Sequence, residues 1–166
     1  MGKRCSASSI TSTIIAWTAA AFGFAGAAFA ACSQDTVSVR GDFGSAQFTV
    51  EVADSSAERS RGLMFVEQMA TTQGMLFVYG HPQSVSFWMR NTLIPLDMVF
   101  VDDTGVIRNI HSMAQPLDEI PIFGGTDIQF VLEINGGLAD RLGMDVGDQM
   151  QHISFGNAAI WPCETN

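Results

Sequence analysis

Beyond Arg4 the chain contains no lysine. It has one tyrosine, three cysteines, and 8 basic residues against 17 acidic ones, a formal net charge of −9. A surface so poor in cations repels phosphate backbones and anionic headgroups, which argues against nucleic acid or a membrane surface as partner. The spacings of several chemistries are missing as well. His81, His111 and His152 stand far apart, with no His-Glu-x-x-His or paired-cysteine pattern to hold zinc. No Gly-x-Ser-x-Gly presents a nucleophile, and Gly124-Gly125 and Gly136-Gly137 read as turns rather than phosphate cradles. No cofactor is implied. Helical segments of roughly 10 to 15 residues are also lacking, which disfavours a parallel sheet sandwiched between helices.

What is present begins with a leader. Lys3 and Arg4 precede an apolar, small-residue run from Ile14 to Ala30, and Ala28-Phe29-Ala30 fits a signal-peptidase site. The expectation is a signal peptide over residues 1–30 and export to the periplasm or cell exterior, with a retained anchor as the weaker alternative. Cleavage after Ala30 leaves 136 of the 166 residues, enough for one domain with a real core. That mature part keeps six arginines and all 17 acids, a formal charge of −11. Cys32 and Cys163 lie near its two ends and can form one disulfide in an oxidising compartment. Alternatively, Phe29-Ala30-Ala31-Cys32 resembles a lipoprotein box, and lipidation of Cys32 would anchor the chain and forbid the bridge.

The remaining pattern is that of short strands. Phe48, Val50 and Val52 alternate with Gln47, Thr49 and Glu51. Ser55-Ser56-Ala57-Glu58 is a capping box opening a short helix that Gly62 closes. Apolar runs at Met75–Tyr79, Val85–Met89, Met98–Val101, Val106–Ile110, Ile128–Ile134 and Gln149–Phe155 suit strands. Asp102-Asp103-Thr104-Gly105 joins two of them as a hairpin, and Leu138 to Leu142 makes a turn or two of helix before Gly143. The fold expected is mostly β: a small antiparallel sandwich or barrel-like domain with two short helices. Residues 31–45 read as a lead-in, 46–155 as a single β-rich domain, and 156–166 as a tail.

Glu51-Val52-Ala53-Asp54, Glu58-Arg59-Ser60-Arg61-Gly62-Leu63-Met64-Phe65 and Gly74-Met75-Leu76-Phe77-Val78 follow one another in a familiar order. So do Phe87-Trp88-Met89-Arg90-Asn91-Thr92, Ile94-Pro95-Leu96-Asp97, Ile110-His111, Ala114-Gln115-Pro116-Leu117-Asp118 and Val131-Leu132-Glu133-Ile134-Asn135-Gly136-Gly137. Together they resemble domain of unknown function 192, from about Phe48 to His152. The resemblance implies a compact, mostly β, jelly-roll-like domain that is often exported. It implies no established reaction.

The strand starting at Ser84 nominates a site. Val85, Phe87 and Met89 share one face, while Ser84, Ser86, Trp88 and Arg90 share the other. An indole can stack on a sugar ring, and a guanidinium supplies forked donors. Asn91 and Asp97 add polar groups just beyond, Arg61 belongs to the same pocket or pairs with Glu67, and Glu133 and Asn135 project from the polar side of another strand. The reading is a binding or accessory protein for a small polar ligand, a saccharide by preference. The competing structural reading places Trp88 under a loop with Arg90 on its face. A carboxylate-based hydrolase using Asp97 and Glu133 is a second functional reading. A periplasmic Cu(I) carrier using Met89, His111 and Met113 is a third, against which stands Met89 on the apolar face.

Overall fold

The computed structural model describes residues 32–164 together with Gly2. Apart from that glycine, the segment expected as a signal peptide lies outside the described residues. Seven strands form one sheet: β1 (Thr36–Gly41), β2 (Gly44–Ala53), β3 (Gln73–Phe87), β4 (Leu96–Val101), β5 (Ile107–Ala114), β6 (Ile122–Asn135) and β7 (Gln149–Gln151). Their order across the sheet is β5-β4-β6-β3-β2-β1-β7. Two short helices, α1 (Ser56–Arg61) and α2 (Leu138–Leu142), and a 3-10 helix over Ile153–Ala158 are the other elements of the described residues.

The sheet curls into a half-barrel. Its edges approach one another where Val106, just before β5, bridges Gln149 of β7, and Ile107 N–H donates to the Asp148 carbonyl. Neighbouring strands are antiparallel except β2 and β3, which run parallel from Thr49↔Gln73 to Ala53↔Phe77. A parallel pair needs a long crossover, and α1 with the loop after it supplies one. The expected antiparallel arrangement therefore holds everywhere but at this step. The helix itself forms as the capping box dictates: Ser55 Oγ accepts from Glu58 N–H, and the Glu58 carboxylate accepts from Ser55 N–H. Gly62 stops it at φ 49°, a conformation that turns the chain back towards the sheet.

Both faces of the sheet are buried. The concave face packs Val37, Val39, Phe48, Leu76, Val99, Phe130, Leu132 and Ile134 with Leu138, Met150 and Phe155 from the α2 side and the chain's end. The opposite face packs Met75, Phe77, Val85, Met98, Phe100 and Val131 under Leu63, Met89 and the half-buried Val66 and Met69. β4 is accordingly buried at every position, as a central strand covered on two sides requires.

Several local expectations change. The separate strands at Met75–Tyr79 and Val85–Met89 are one long strand, β3, whose pairing with β6 shifts register between Val78 and Ser86. It ends at Phe87, before Trp88. The run Gln149–Phe155 is strand only to Gln151 and then coils into the 3-10 helix. The stretch read as a lead-in carries β1, with Val37 and Val39 fully buried. Cys32 and Cys163 are joined by a disulfide with Cα atoms 5.8 Å apart. Closing a loop of sequence separation 131 stabilises the fold by about 5 kcal/mol in the chain-entropy account.

Candidate functional site

Four of the residues nominated from sequence converge. Arg61, Trp88, Arg90 and Glu133 line one crevice of about 160 Å³, on the sheet face opposite the concave core. Its floor is β6 and β3, where Glu133 pairs across the sheet with Met75 and Met98, and Phe77 and Tyr79 continue β3. One wall is α1 and its C-terminal turn, through Arg59, Arg61 and Leu63; the other is the segment Ser86–Thr92 leaving β3.

The alternation along Ser84–Arg90 survives the end of the strand. Val85 and Met89 are buried, Phe87 is half-buried, and Ser84, Ser86, Trp88 and Arg90 are exposed. Trp88 is 47% exposed, with the Arg90 guanidinium 5.6 Å from its ring centroid. The cation–π contact of the structural reading is thus present, but the indole stays open at the rim. Arg59 is occupied: it donates to the carbonyls of Asp54 and Val78 and lies 5.0 Å over the Tyr79 ring. Arg61 and Arg90 make no ion pair or hydrogen bond through their guanidiniums among the described residues, and the expected Arg61–Glu67 pair does not form.

Glu133 departs most from expectation. Its place on a polar-looking strand face suggests an outward carboxylate, yet the residue is only 4% exposed. The loop after α1 and the Ser86–Thr92 segment cover that face, which sequence alternation along β6 cannot reveal. Among the described residues its Oε2 has no hydrogen-bond partner. Burial without an opposing charge in contact pushes the carboxyl up to about 8, so at neutral pH it is mostly protonated. On Tyr79, burial likewise raises the phenol, and the nearby Glu133 adds to the shift against the opposing pull of Arg59.

The other nominees hold the chain in shape. Asp97 is fully buried, and its carboxylate accepts from the backbone N–H groups of Met113 (2.8 Å), Gly137 (2.7 Å) and Ala139 (2.8 Å). It ties β5 and the start of α2 to β4. Because Asp97 opposes Ile134 while Met98 opposes Glu133, the two carboxyls point to opposite faces of the sheet. They cannot flank one bond, and the two-carboxylate hydrolase loses its geometry. Asn91 makes a chain corner at φ 56°, where its carbonyl accepts from Phe65 N–H. Asn135 Nδ2 donates to the carbonyls of Met69 and Ala70, pinning the loop over the crevice face.

The copper set is not assembled either. Met89 is fully buried among Phe77, Val85 and Met98, whereas His111 and Met113 line a shallow surface groove with Gln115 and Ile120. Met113 lies over Gly136 and Gly137. Among the described residues no three His, Cys, Asp or Glu side chains gather as a metal site, and no helix is long and apolar enough to cross a membrane. The residues that pattern reading missed are Arg59 and Tyr79. For Arg59 the available signal was its place on the same 6-residue helix as the nominated Arg61.

The model of the DUF192 family, described as "Uncharacterized ACR", matches residues 37–152. The chain belongs to this family of β domains. Among solved structures, it is similar to a protein of unknown function from Novosphingobium aromaticivorans, with 44% identity and TM-score 0.68 over 69% of this chain and 82% of that one. It is also similar to a putative transcription regulator from Sinorhizobium meliloti, with 39% identity and TM-score 0.69 over 72% of this chain and 94% of that one. No curated protein matches.

Proposed function

We propose that this protein is an exported binding or accessory domain whose crevice accepts a small polar ligand, a saccharide by preference. The observation that carries the reading is Glu133, which lines an open crevice with Trp88 at its rim and whose buried Oε2 has no hydrogen-bond partner among the described residues. A buried polar atom without a partner costs about 1–3 kcal/mol, and a ligand hydroxyl or carboxylate would recover it. An exposed indole beside it offers the apolar face that a sugar ring presents to aromatic side chains. At about 160 Å³ the space is below the roughly 300 Å³ at which drug-sized sites begin, so the ligand is of monosaccharide size.

The leader pattern and the Cys32–Cys163 bridge support export to an oxidising compartment. The Sinorhizobium relative's name offers a regulator as an alternative, but a net charge of −9 works against DNA binding in this chain. Calorimetric screening of monosaccharides against wild type and Trp88→Ala tests the proposal. Binding to wild type that weakens at least tenfold in Trp88→Ala is expected. Equal silence from both proteins, with native circular dichroism, would remove it.

A further inference from the structure

The crevice concentrates positive charge in an otherwise acidic protein. Of the six arginines between residues 32 and 164, Arg59, Arg61 and Arg90 line it, and its one carboxyl is Glu133. Arg59 spends its donors on backbone carbonyls, whereas the forked donors of Arg61 and Arg90 are uncommitted among the described residues. A crevice meant for a neutral sugar has no need of two unpaired guanidiniums. Arginine's planar fork matches a carboxylate, which accepts and never donates when ionised.

Building on the saccharide reading, we infer that the crevice is selective for a sugar acid, whose carboxylate is held by Arg61 and Arg90 while the Glu133 carboxyl donates a hydrogen bond to it. The ring then lies against Trp88. Glu133 can donate only while protonated, and an ionised Glu133 would repel the ligand, so binding weakens as alkali removes its proton.

The groups facing Glu133 leave this pH response to it. From α1 come Arg59 and Arg61, and from the Ser86–Thr92 segment comes Arg90, all cationic throughout. From β3 comes Tyr79, whose phenol is raised above its ordinary 10 and stays neutral. β4 presents Met98 and Phe100 on this face. Glu51 on β2 and His111 on β5 lie in the same cross-sheet row, each two strands away and so about 10 Å off.

Calorimetry on the full disulfide-bonded domain with glucuronate, glucose, acetate and inorganic phosphate, each at pH 7 and pH 9.5, tests this. Glucuronate is expected to bind at least tenfold more tightly than glucose, acetate or phosphate at pH 7, and at least tenfold more weakly at pH 9.5. Arg61→Gln and Arg90→Gln should each cost tenfold or more. Glu133→Gln, whose amide donates at any pH, should bind glucuronate equally at both. Glucose binding as tightly as glucuronate would overturn the charge selectivity while leaving a saccharide site. Phosphate or acetate matching glucuronate would overturn the sugar-acid assignment. Unchanged wild-type affinity between the two pH values would overturn the role of Glu133. Binding of none of the four probes would remove this inference and, with the monosaccharide screen silent, the saccharide site as well.

Discussion

Asp97 and Glu133 are carboxyls on neighbouring interior strands of the sheet, both out of solvent. Asp97 meets three backbone N–H donors within 2.8 Å, whereas Glu133 Oε2 meets none among the described residues. The first face of the sheet is finished in the sense that, among the described residues, no buried side-chain polar atom there lacks a partner. The second leaves one buried polar atom unanswered among the described residues, in a crevice lined by two arginines that make no ion pair there. Folding alone gives no reason to keep such a residue, because burying it apart from a partner costs stability. That cost, borne where a crevice meets solvent, is the observation on which the proposed binding face rests.

Removing the Asp97 carboxylate strikes the finished face and should have the largest effect. Asp97→Ala orphans three buried donors and is expected to lower stability by about 3–5 kcal/mol, read from urea unfolding. The amide resonances of Met113, Gly137 and Ala139 should move together in its spectra. A loss below about 1 kcal/mol would show that the three bonds are not what anchors β5 and α2 to β4.

Glu133→Gln should act with the opposite sign, and only at higher pH. Burial raises the folded-state value to about 8, above the ordinary glutamate value of 4.5, so the folded chain holds a proton that the unfolded chain has released. Stability from this group is full below about pH 4.5 and is lost as pH rises through 8. At pH 7 the loss amounts to roughly 3 kcal/mol. Wild type should therefore become less stable relative to Glu133→Gln between pH 4.5 and pH 8, and parallel unfolding profiles would contradict the assignment.

The smallest effect concerns the wall of the crevice. Ser55→Ala removes the N-cap of α1 and is expected to cost about 1 kcal/mol. Amide exchange should quicken around Arg59 and Arg61 and stay unchanged at Gly137 and Ala139 on the finished side. Equal acceleration on both sides would mean that the two faces unfold as one unit.

Much of this was legible in the chain, for physical reasons that also mark the limit. Patterns confined to a few consecutive residues translated directly. The capping box at Ser55, the Asp102–Gly105 turn, helix α2 and the alternation of buried and exposed side chains along Ser84–Arg90 all formed as their local chemistry requires, although the strand itself stops at Phe87. Sites built by tertiary covering did not translate. Glu133 looked outward because alternation reports which side of a strand a residue takes, not whether something lies on that side. The apolar run Phe130-Val131-Leu132, too greasy for a half-exposed strand, was the available sign that both faces of β6 are covered. Asp97 looked like site chemistry because an acid after a strand end reads the same whether it faces ligand or three backbone amides. Joining β2 to β3 in parallel depends on where the crossover through α1 lands, which no window of sequence contains.

The most direct measurement is a carbon-13 NMR titration of the Glu133 side-chain carboxyl in the ligand-free domain, assigned by its absence in Glu133→Gln. A midpoint near 8 is the expected result, since burial without a partner holds the proton on. A midpoint in the ordinary glutamate range, about 4 to 5, would mean that the carboxyl is solvated or paired, and the contrast between the two faces would fall.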